Sequence, residues 1–486
     1  MKTQTTTTER LREPLALEMQ GSRFGDRRID QRSVEILESL GRNPAASINS
    51  AMIGRAATAG AYRFFSNPMV TPERILSGHR QQSILRAAQY SSIRLVQDTS
   101  ETDFSSLSTL RGSGPLADAK HRGAFLHTSL MVAPGGLALG VYDNEFLVRS
   151  DEDLGNAAAR KQLPIEDKES FRWLAGFAKA CDLQTALPDS EVISVADREA
   201  DIYEIFADYA QRLERGEKPA QFVIRAKEDR VLLGEHEGKT LFDLDGEGAA
   251  LGTHEFEVPA QLQRYKEKGS TCTYQRRKRP VKQEIRVHVI RPRPPARKGR
   301  KLPQVTLYLV CATEIDVPED QRPINWRLLT SKAVGTLEEA VEIIDIYRDR
   351  WQIEVFFRTL KSGCRIERLG LKEMKGLERG MTMLSVVAWR QMYVTHLARH
   401  QPDLPCGRVF ERHEWEGTLR VIDPGARKYE EPRLGDFILK VASLGGYLNR
   451  KHDPAPGPQV LWCGMQKVLA YGEAWQAFTR LHSQLN

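Results

Sequence analysis

Short runs of apolar, often β-branched residues alternate with amphipathic segments along most of this chain. Residues 93–98 and 192–197 are two such runs, and each ends in an aspartate. Runs of this length and composition are typical of strands in a sheet whose faces are both covered. In open α/β sheets the chemistry gathers beyond the carboxyl ends of the strands. The pattern therefore predicts an α/β core that places Asp98 and Asp197 at a functional edge, although a turn or a helix cap would use the same residues.

Residues 347–361 have helical spacing and place four polar side chains of different chemistry on one predicted face. These are Tyr347, Arg350, Glu354 and Lys361, at offsets of 0, 3, 7 and 14 residues. At about 100° per residue they fall within an arc of about 60°. The apolar residues of the adjoining arc, which we expect to face the core, are Ile346, Ile353, Phe357 and Leu360. A solvated face with weak ion pairs is the common outcome for such a helix, but the row also suits a metal ion and phosphates.

Asp98, Asp197 and Glu354 together offer the ligands of a metal site built from two strands and one helix. Hard oxygen ligands and phosphate substrates favour Mg²⁺, for which Mn²⁺ can substitute. Two such ions would activate a water or a 3′-hydroxyl on one side of a phosphate and stabilise the leaving oxygen on the other. Zinc is not expected, because the six cysteines form no Cys-x2-Cys pair and the histidines lack paired spacing.

These residues resemble the motifs of a known family, the bacterial DDE transposases of the insertion-sequence, cut-and-paste type, and most closely those of its transposon-five group. The family signature Tyr-x2-Arg-x3-Glu-x6-Lys is matched at every position by the four polar residues of 347–361. Asp98 and Asp197 match the two family aspartates, in the sequences Gln-Asp-Thr-Ser and Ala-Asp-Arg-Glu-Ala-Asp-Ile. The resemblance extends from about residue 20 to the C-terminus.

The resemblance implies a ribonuclease H-like catalytic core that is interrupted by a β-rich insertion, with helical N- and C-terminal domains. The gap of 157 residues between Asp197 and Glu354 is longer than such a core needs, and alternating β-branched residues within it favour an inserted sheet. The implied segments are a disordered tail (1–20), a helical DNA-end-binding domain (21–90), the core (91–224 and 336–369), the β-rich insertion (225–335) and a helical dimerisation domain (370–486).

Family members of this kind nick one DNA strand and attack the opposite strand with the new 3′-hydroxyl, which makes a hairpin at the transposon end. The resemblance makes the three carboxylates catalytic ligands of two metal ions per site. Arg350 and Lys361 would hold phosphates near the cut, and Tyr347 would donate a hydrogen bond to one of them. Trp326 lies 28 residues before Glu354 and resembles the tryptophan on which a base stacks when it leaves the duplex, although a core position is the commoner fate of a tryptophan.

Two basic stretches are candidate DNA contacts. Arg27, Arg28 and Arg32 belong to a predicted short helix of the N-terminal domain and would meet phosphates or base edges, unless they only form a solvated basic face. Residues 274–301 carry twelve Lys and Arg side chains with interspersed prolines, which predicts an exposed connection or hairpin. Contact of either stretch with the DNA backbone would make binding depend steeply on salt.

Composition limits the class of protein without changing this picture. The 71 Lys and Arg residues exceed the 64 Asp and Glu residues, and a hydrophobic content of 41% is typical of a globular protein with several domains. No run approaches about 18 apolar residues and the N-terminus has no apolar signal segment, so neither a membrane span nor secretion is expected. Unpaired cysteines favour a reducing cytoplasm, in which DNA binding would associate the protein with the nucleoid.

We interpret the chain as a DNA transposase that acts on double-stranded DNA, both the transposon ends and a target, as a homodimer in the synaptic complex. A transposase-derived DNA-binding repressor is one alternative, but it would have no need of the complete set of catalytic residues. A ribonuclease H-like structure-selective nuclease is the other alternative, and it would cut without requiring a terminal repeat.

Overall fold

The computed structural model describes residues 15–153, 163–258, 260–267, 270–296, 301–426, 428–451, 453 and 455–485. The chain forms two compact units. The first is made of Met1–Tyr90, Asp98–Lys161 and Trp351–Asn486, and the second of Ser91–Gln97 and Gln162–Arg350. The first unit therefore combines N-terminal and C-terminal parts of the described chain, and most of the middle belongs to the second.

Helices predominate towards both ends of the chain and strands in its middle. The α-helices are α1 (Arg27–Arg42), α2 (Ile48–Ala51), α3 (Arg55–Ser66), α4 (Pro72–Ala87), α5 (Phe171–Ala186), α6 (Tyr203–Glu214), α7 (Leu337–Asp349), α8 (Trp351–Arg358), α9 (Met374–His400), α10 (Arg412–Ile422), α11 (Leu434–Leu444) and α12 (Pro458–Leu485). The strands are β1 (Ser92–Asp103), β2 (Gly114–Pro115), β3 (Arg122–Val132), β4 (Ala138–Leu147), β5 (Glu191–Ala196), β6 (Gln221–Arg225), β7 (Gly252–Val258), β8 (Gln261–Glu267), β9 (Ser270–Arg276), β10 (Arg279–Ile290), β11 (Leu307–Ile315) and β12 (Trp326–Thr330). The predicted mixed α/β fold with helical N- and C-terminal regions is confirmed. None of the described helices is long and apolar enough to cross a membrane.

In the first unit, a long buried helix packs on an antiparallel hairpin. β3 pairs with β4, and β2 pairs with the start of β3. α9 lies against β4 and is buried along most of its length. Trp389 of α9 donates an indole hydrogen bond to Ala138 O at 2.9 Å, and Asn144 of β4 donates to Ser385 Oγ at 2.9 Å. This interface therefore avoids the cost of leaving these buried donors unpaired.

A short 3-10 helix at Leu15–Met19 is held to the first unit by a buried carboxylate. Glu18 is fully buried, and its side chain accepts hydrogen bonds from Arg86 Nη1 at 2.8 Å and Nη2 at 3.1 Å. His79 Nε2 accepts from the Val141 N–H at 2.9 Å, so the proton of His79 lies on Nδ1 and is donated to Glu18. Burial raises the pKa of Glu18, but the charges and hydrogen bonds of His79 and Arg86 outweigh it and lower the pKa to about 2.

The prediction of a disordered tail through residue 20 is therefore wrong from residue 15 onward. A buried charge is tolerated in the folded state when it is paired. The partners of Glu18 lie 61 and 68 residues away in the sequence, at His79 and Arg86, where a local pattern does not reveal them. The rest of that predicted tail, residues 1–14, lies outside the described residues.

His396 of α9 couples the stability of the first unit to pH. Its Nδ1–H donates to Gly136 O at 2.9 Å. Burial, with a smaller effect from the charge of Arg399, lowers the pKa of His396 from 6.5 to about 4. The unfolded chain therefore binds a proton here at a higher pH than the folded chain does. Stability is lost as the pH falls from about 6.5 to 4, by up to about 3 kcal/mol.

We expect His396→Asn to remove this part of the pH dependence, because the shorter amide still donates to Gly136 but does not titrate. The measurement is the free energy of unfolding in urea at several pH values for both proteins. The wild type should lose stability more steeply below about pH 6.5 than the variant. Parallel pH profiles of the two proteins would contradict the prediction.

The second unit contains a mixed sheet in the order β1-β5-β6-β12-β11-β10-β7. β1, β5 and β6 are parallel, with Val96 paired to Val195 and Val195 to Val223, and the other pairings are antiparallel. β8 and β9 form a separate hairpin. β5 is buried from its second residue to its last, which explains why it reads as a continuous apolar run instead of an alternating one.

β1 belongs to both units and is longer than predicted. Residues 92–96 pair with β5 in the second unit. The strand continues through Asp98 to Asp103 in the first unit, where Thr102 Oγ1 donates to Ala124 O of β3 at 2.7 Å. The prediction that this strand ends at Asp98 is wrong, because β3 supplies a second pairing partner for residues too polar to be recognised as a strand.

The basic segment 274–301 contains the end of β9, which pairs with β8, and all of β10, which pairs with β7 and β11. Residues 277 and 278 connect β9 to β10, but these two strands belong to different sheets, so they do not form the predicted hairpin. Val281 and Ile285 are buried, so β10 is not the exposed connection that the charge pattern predicts. Lys282 and Arg286 alternate with these core residues, which local charge density does not show. Residues 297–300, with three of the basic side chains, lie outside the described residues.

Candidate active site

Asp197 directly follows β5 and caps the next turn. The 3-10 helix Arg198–Ala200 begins after it, and Asp197 Oδ1 accepts a hydrogen bond from the Glu199 N–H at 2.8 Å. The prediction that a buried apolar strand ends at Asp197 is confirmed, and the alternative role of this residue as a helix cap is also observed. Capping engages one carboxylate oxygen and holds the side chain at the end of the strand.

Asp98 lies inside β1, just beyond the part of the strand that pairs with β5. It follows Val96 by two residues, as Asp197 follows Val195, and Val96 pairs with Val195. Asp98 Oδ1 accepts from the Thr99 N–H at 2.8 Å. Both aspartates are half-buried and each uses a neighbouring backbone N–H, so their orientations are restrained locally.

The segment 347–361 is not one continuous helix. Arg350 separates α7 from α8, and its N–H donates to Tyr347 O, three residues back, at 3.1 Å. A π-helical turn, Thr359–Gly363, follows α8 and contains Lys361. The four polar residues therefore do not share the one uniform helix, with about 100° per residue, that the predicted arc assumes. The apolar residues of the adjoining arc are nevertheless all buried, namely Ile346, Ile353, Phe357 and Leu360.

In the second unit, Tyr347 and Trp326 belong to a cluster of rings. The Trp326 indole lies 5.6 Å from the Tyr347 ring at 67°, and it stacks on Phe256 at 5.5 Å and 17°. The Arg350 guanidinium lies 5.9 Å from the Tyr347 ring centroid. Tyr347 is 6% exposed, whereas Trp326 is half-buried and keeps part of its surface available. The structure thus brings together three of the predicted site residues, Trp326, Tyr347 and Arg350.

Sequence reasoning misses Phe256 of this cluster and an ion pair between Arg94 and Asp349. Phe256 stacks on Trp326 and has the Arg348 guanidinium 4.7 Å from its ring centroid. Arg94 Nε lies 3.1 Å from Asp349 Oδ2, and burial, partly opposed by the charge of Arg94, raises the pKa of Asp349 to about 6. Two features of the sequence could have indicated these residues. Phe256 is an aromatic residue in a strand of alternating pattern, and Arg94 is a cation inside an apolar run.

In the first unit, Lys361 lies within the electrostatic influence of Asp98. Burial lowers the pKa of the Lys361 ammonium, and the negative charges of Glu101 and Asp98 partly oppose that shift. An ammonium is a compact charge that can hold a phosphate without a fixed fork geometry. Glu354 is half-buried in α8 of the same unit. Asp197 belongs to the second unit, and its proximity to Asp98 and Glu354 remains a prediction.

The chemistry of the three candidate carboxylates fits a hard divalent cation, which prefers oxygen ligands. Across the part of the chain that the structure describes, no group of three or more His, Cys, Asp or Glu side chains is placed to hold a metal ion. Carboxylates repel one another at the separations that a shared ion requires.

The three N-terminal arginines differ in their surroundings. Arg27 and Arg28 are exposed in the first turn of α1, and Arg28 Nη2 lies 3.0 Å from Asp26 Oδ2. Arg32 Nε lies 3.2 Å from Glu35 Oε2. Exposed pairs of this kind contribute less than about 1 kcal/mol, so a phosphate can replace the carboxylate at little cost.

Three family models match the chain in order. Residues 13–70 match a transposase DNA-binding model, residues 192–389 a transposase DDE domain, and residues 386–484 the transposase Tn5 dimerisation domain. The DDE domain includes Asp197 and Glu354 and implies a ribonuclease H-like core. A protein with this domain is a DNA transposase that uses divalent metal ions for phosphoryl transfer. The flanking domains provide DNA binding and dimer formation. The chain therefore belongs to the DDE transposases and has the domain order of the Tn5 type.

Proposed function

We propose that this transposase cleaves the inverted repeats at the ends of its own element and joins the freed 3′ ends to target DNA. Each end would be nicked to release a 3′-hydroxyl, converted into a hairpin, reopened and then joined. The observation that carries the proposal is the relation of Asp98 to Asp197, since both follow the paired residues Val96 and Val195 by two positions. Asp197 follows the carboxyl end of β5, where α/β sheets hold their substrates, and Asp98 occupies the matching position of β1.

Asp98, Asp197 and Glu354 would hold two Mg²⁺ ions, for which Mn²⁺ can substitute. When bound, the ions would activate the attacking water or 3′-hydroxyl and stabilise the leaving oxygen. The hydrogen bonds from Thr99 N–H to Asp98 and from Glu199 N–H to Asp197, each 2.8 Å long, support this role. A side chain that is already oriented loses less freedom when it becomes a ligand.

The chain's own cations would position the phosphate that is cut. Lys361, within the influence of Asp98, would hold that phosphate beside a metal ligand. Arg350 would contact a neighbouring phosphate, because its planar guanidinium suits two parallel hydrogen bonds. Tyr347 would donate a hydrogen bond to the same group, with its ring supported by Trp326 at 5.6 Å.

Trp326 would accept the base that leaves the duplex when the hairpin forms. Removing a base from the stack costs a few kcal/mol, and stacking on an aromatic ring returns about 1–3 kcal/mol of it. The half-buried indole is already stacked on Phe256 at 17°, so it has little freedom to lose when a base arrives. This preformed stack supports the hairpin step.

We expect Trp326→Ala to slow hairpin formation about 5- to 150-fold while the first nick is retained, because only the second step needs an unstacked base. Trp326→Phe, which keeps an aromatic platform, should recover most of the loss. A denaturing gel of end-labelled transposon-end duplex with Mg²⁺ separates nicks, hairpins and double-strand breaks. A normal hairpin-to-nick ratio in Trp326→Ala would exclude the stacking role, and equal loss of both products would assign Trp326 a structural role instead.

Recognition of the two ends would use residues 21–90, with Arg27, Arg28 and Arg32 on phosphates or base edges. Residues 370–486 would join two protomers in a synaptic complex. The proposed catalytic core is 91–224 with 336–369, and the proposed insertion is 225–335. Because its substrate is DNA, the protein would act in the cytoplasm, associated with the nucleoid.

The same gel distinguishes this function from its alternatives. Nicking followed by a hairpin, seen only on duplexes that carry the terminal repeat, is the expected result. Binding of the repeat without any cleavage would indicate a repressor. Cleavage that ignores the repeat would indicate a structure-selective nuclease.

A further inference from the structure

An open groove of about 1030 Å³ lies in the first unit between three segments of the chain. One wall consists of residues 43–50, within the stretch that matches the transposase DNA-binding model. A second wall, residues 358–368, continues the helix that carries Glu354, and the third is the start of α12 with Trp462. The groove therefore connects the DNA-binding region to the segment that follows a catalytic residue.

Three exposed arginines, Arg358, Arg365 and Arg368, give this groove its charge. Its lining contains no aspartate or glutamate. Within the described part of the chain, none of the three guanidinium groups has a carboxylate partner, in contrast to Arg215, which pairs with Glu217 at 2.7 Å. Three unneutralised cations in one concave surface favour a polyanionic ligand.

The backbone at Arg365 adds a second, independent observation. Arg365 has a φ of 44°, a left-handed conformation that residues with a Cβ rarely adopt. A glycine would be free of this strain. Strain of this kind persists where the surrounding structure requires it and is concentrated at binding and catalytic sites. Here the strained residue is an arginine that lines the groove.

We propose that the groove binds the phosphate backbone of duplex DNA. The inference rests on the proposed function and names a DNA contact beyond the predicted ones. Backbone contact needs charges and hydrogen-bond donors without base specificity, and the groove supplies three guanidinium groups together with the side chains of Asn43, Ser47 and Ser50. DNA held there extends from the end-binding region towards the helix of Glu354.

The test is the salt dependence of DNA binding by the full-length protein, for transposon-end duplex and for unrelated duplex. Each lost phosphate contact lowers the slope of log affinity against log salt by about 0.9. We expect Arg365→Gly and Arg368→Gln each to lower the slope for at least one duplex. Arg365→Gly should also unfold at the same urea concentration as the wild type or a higher one, because glycine adopts the left-handed conformation without strain.

Arg215→Gln is the matched control, since it removes an exposed but paired arginine of the second unit and should leave both slopes unchanged. A lower slope for transposon-end duplex assigns the groove to the element's own DNA, and a lower slope only for unrelated duplex assigns it to target DNA. Unchanged slopes in both arginine variants, in a wild type that binds and cleaves, would overturn the proposal. A wild type that binds DNA without cleaving it would instead overturn the proposed function. The salt slopes of the arginine variants would still test whether the groove binds DNA.

Discussion

Replacing Glu354 with glutamine is expected to lower cleavage of transposon-end DNA at least about 10³-fold and to leave the Kd for that DNA within about twofold of the wild-type value. Glutamine has the same shape but lacks the negative charge that a hard divalent cation requires. Metal ions stabilise the charge of a phosphoryl-transfer transition state by several kcal/mol, and about 1.4 kcal/mol corresponds to a factor of ten in rate. Single-turnover cleavage with Mg²⁺ and a binding titration without it measure the two quantities.

Glu338→Gln provides the matched control for this variant. Glu338 is exposed in the first turn of α7 and should be replaceable without effect on cleavage. Cleavage by Glu354→Gln at the wild-type rate would remove Glu354 from the set of metal ligands. Loss of DNA binding in Glu354→Gln would show that the residue supports the structure of the first unit, and the loss of cleavage would then say nothing about metal.

Replacing Glu18 with glutamine is expected to lower the free energy of unfolding of the first unit by about 3–5 kcal/mol, which is the usual cost of removing one partner from a buried ion pair. Glu18 is fully buried, and its carboxylate is the counter-charge of Arg86, which is 5% exposed. Burial, with a smaller effect from the charges of Arg86 and Arg80, lowers the pKa of His79 although Glu18 opposes the shift, so His79 contributes a hydrogen bond more than a charge. The variant leaves Arg86 charged and buried, because an arginine does not give up its proton.

Urea denaturation of wild type, Glu18→Gln and Glu35→Gln measures this effect. Glu35 pairs with Arg32 at 3.2 Å on the surface and should contribute less than about 1 kcal/mol. The pKa of Glu18 is lowered to about 2, so its contribution should be complete above about pH 4.5 and lost only as the pH falls towards 2. Equal stability of the two variants would show that Arg86 finds another partner or reaches water.

The sequence by itself determined the chemistry of the candidate site and the class of the fold. β5 ends before Asp197 as predicted, because an apolar run of that length is a local property that survives in the folded chain. The spacing from Tyr347 to Lys361 likewise identified the four polar residues of the signature, although it assumed a uniform helix. The local sequence was sufficient for these inferences, because each depends only on residues that are close together in the chain.

Only the tertiary structure decided the features that depend on distant partners. The division between α7 and α8 at Arg350 and the π turn around Lys361 depart from the uniform helix that the spacing assumes. Glu18 is buried because Arg86, 68 residues away, neutralises it, and Trp326 is stacked because β7 supplies Phe256. The charge of the groove likewise arises because three segments that are far apart in the sequence contribute arginines but no carboxylate to its lining. Packing and charge pairing depend on separation in space, which spacing along the chain does not encode.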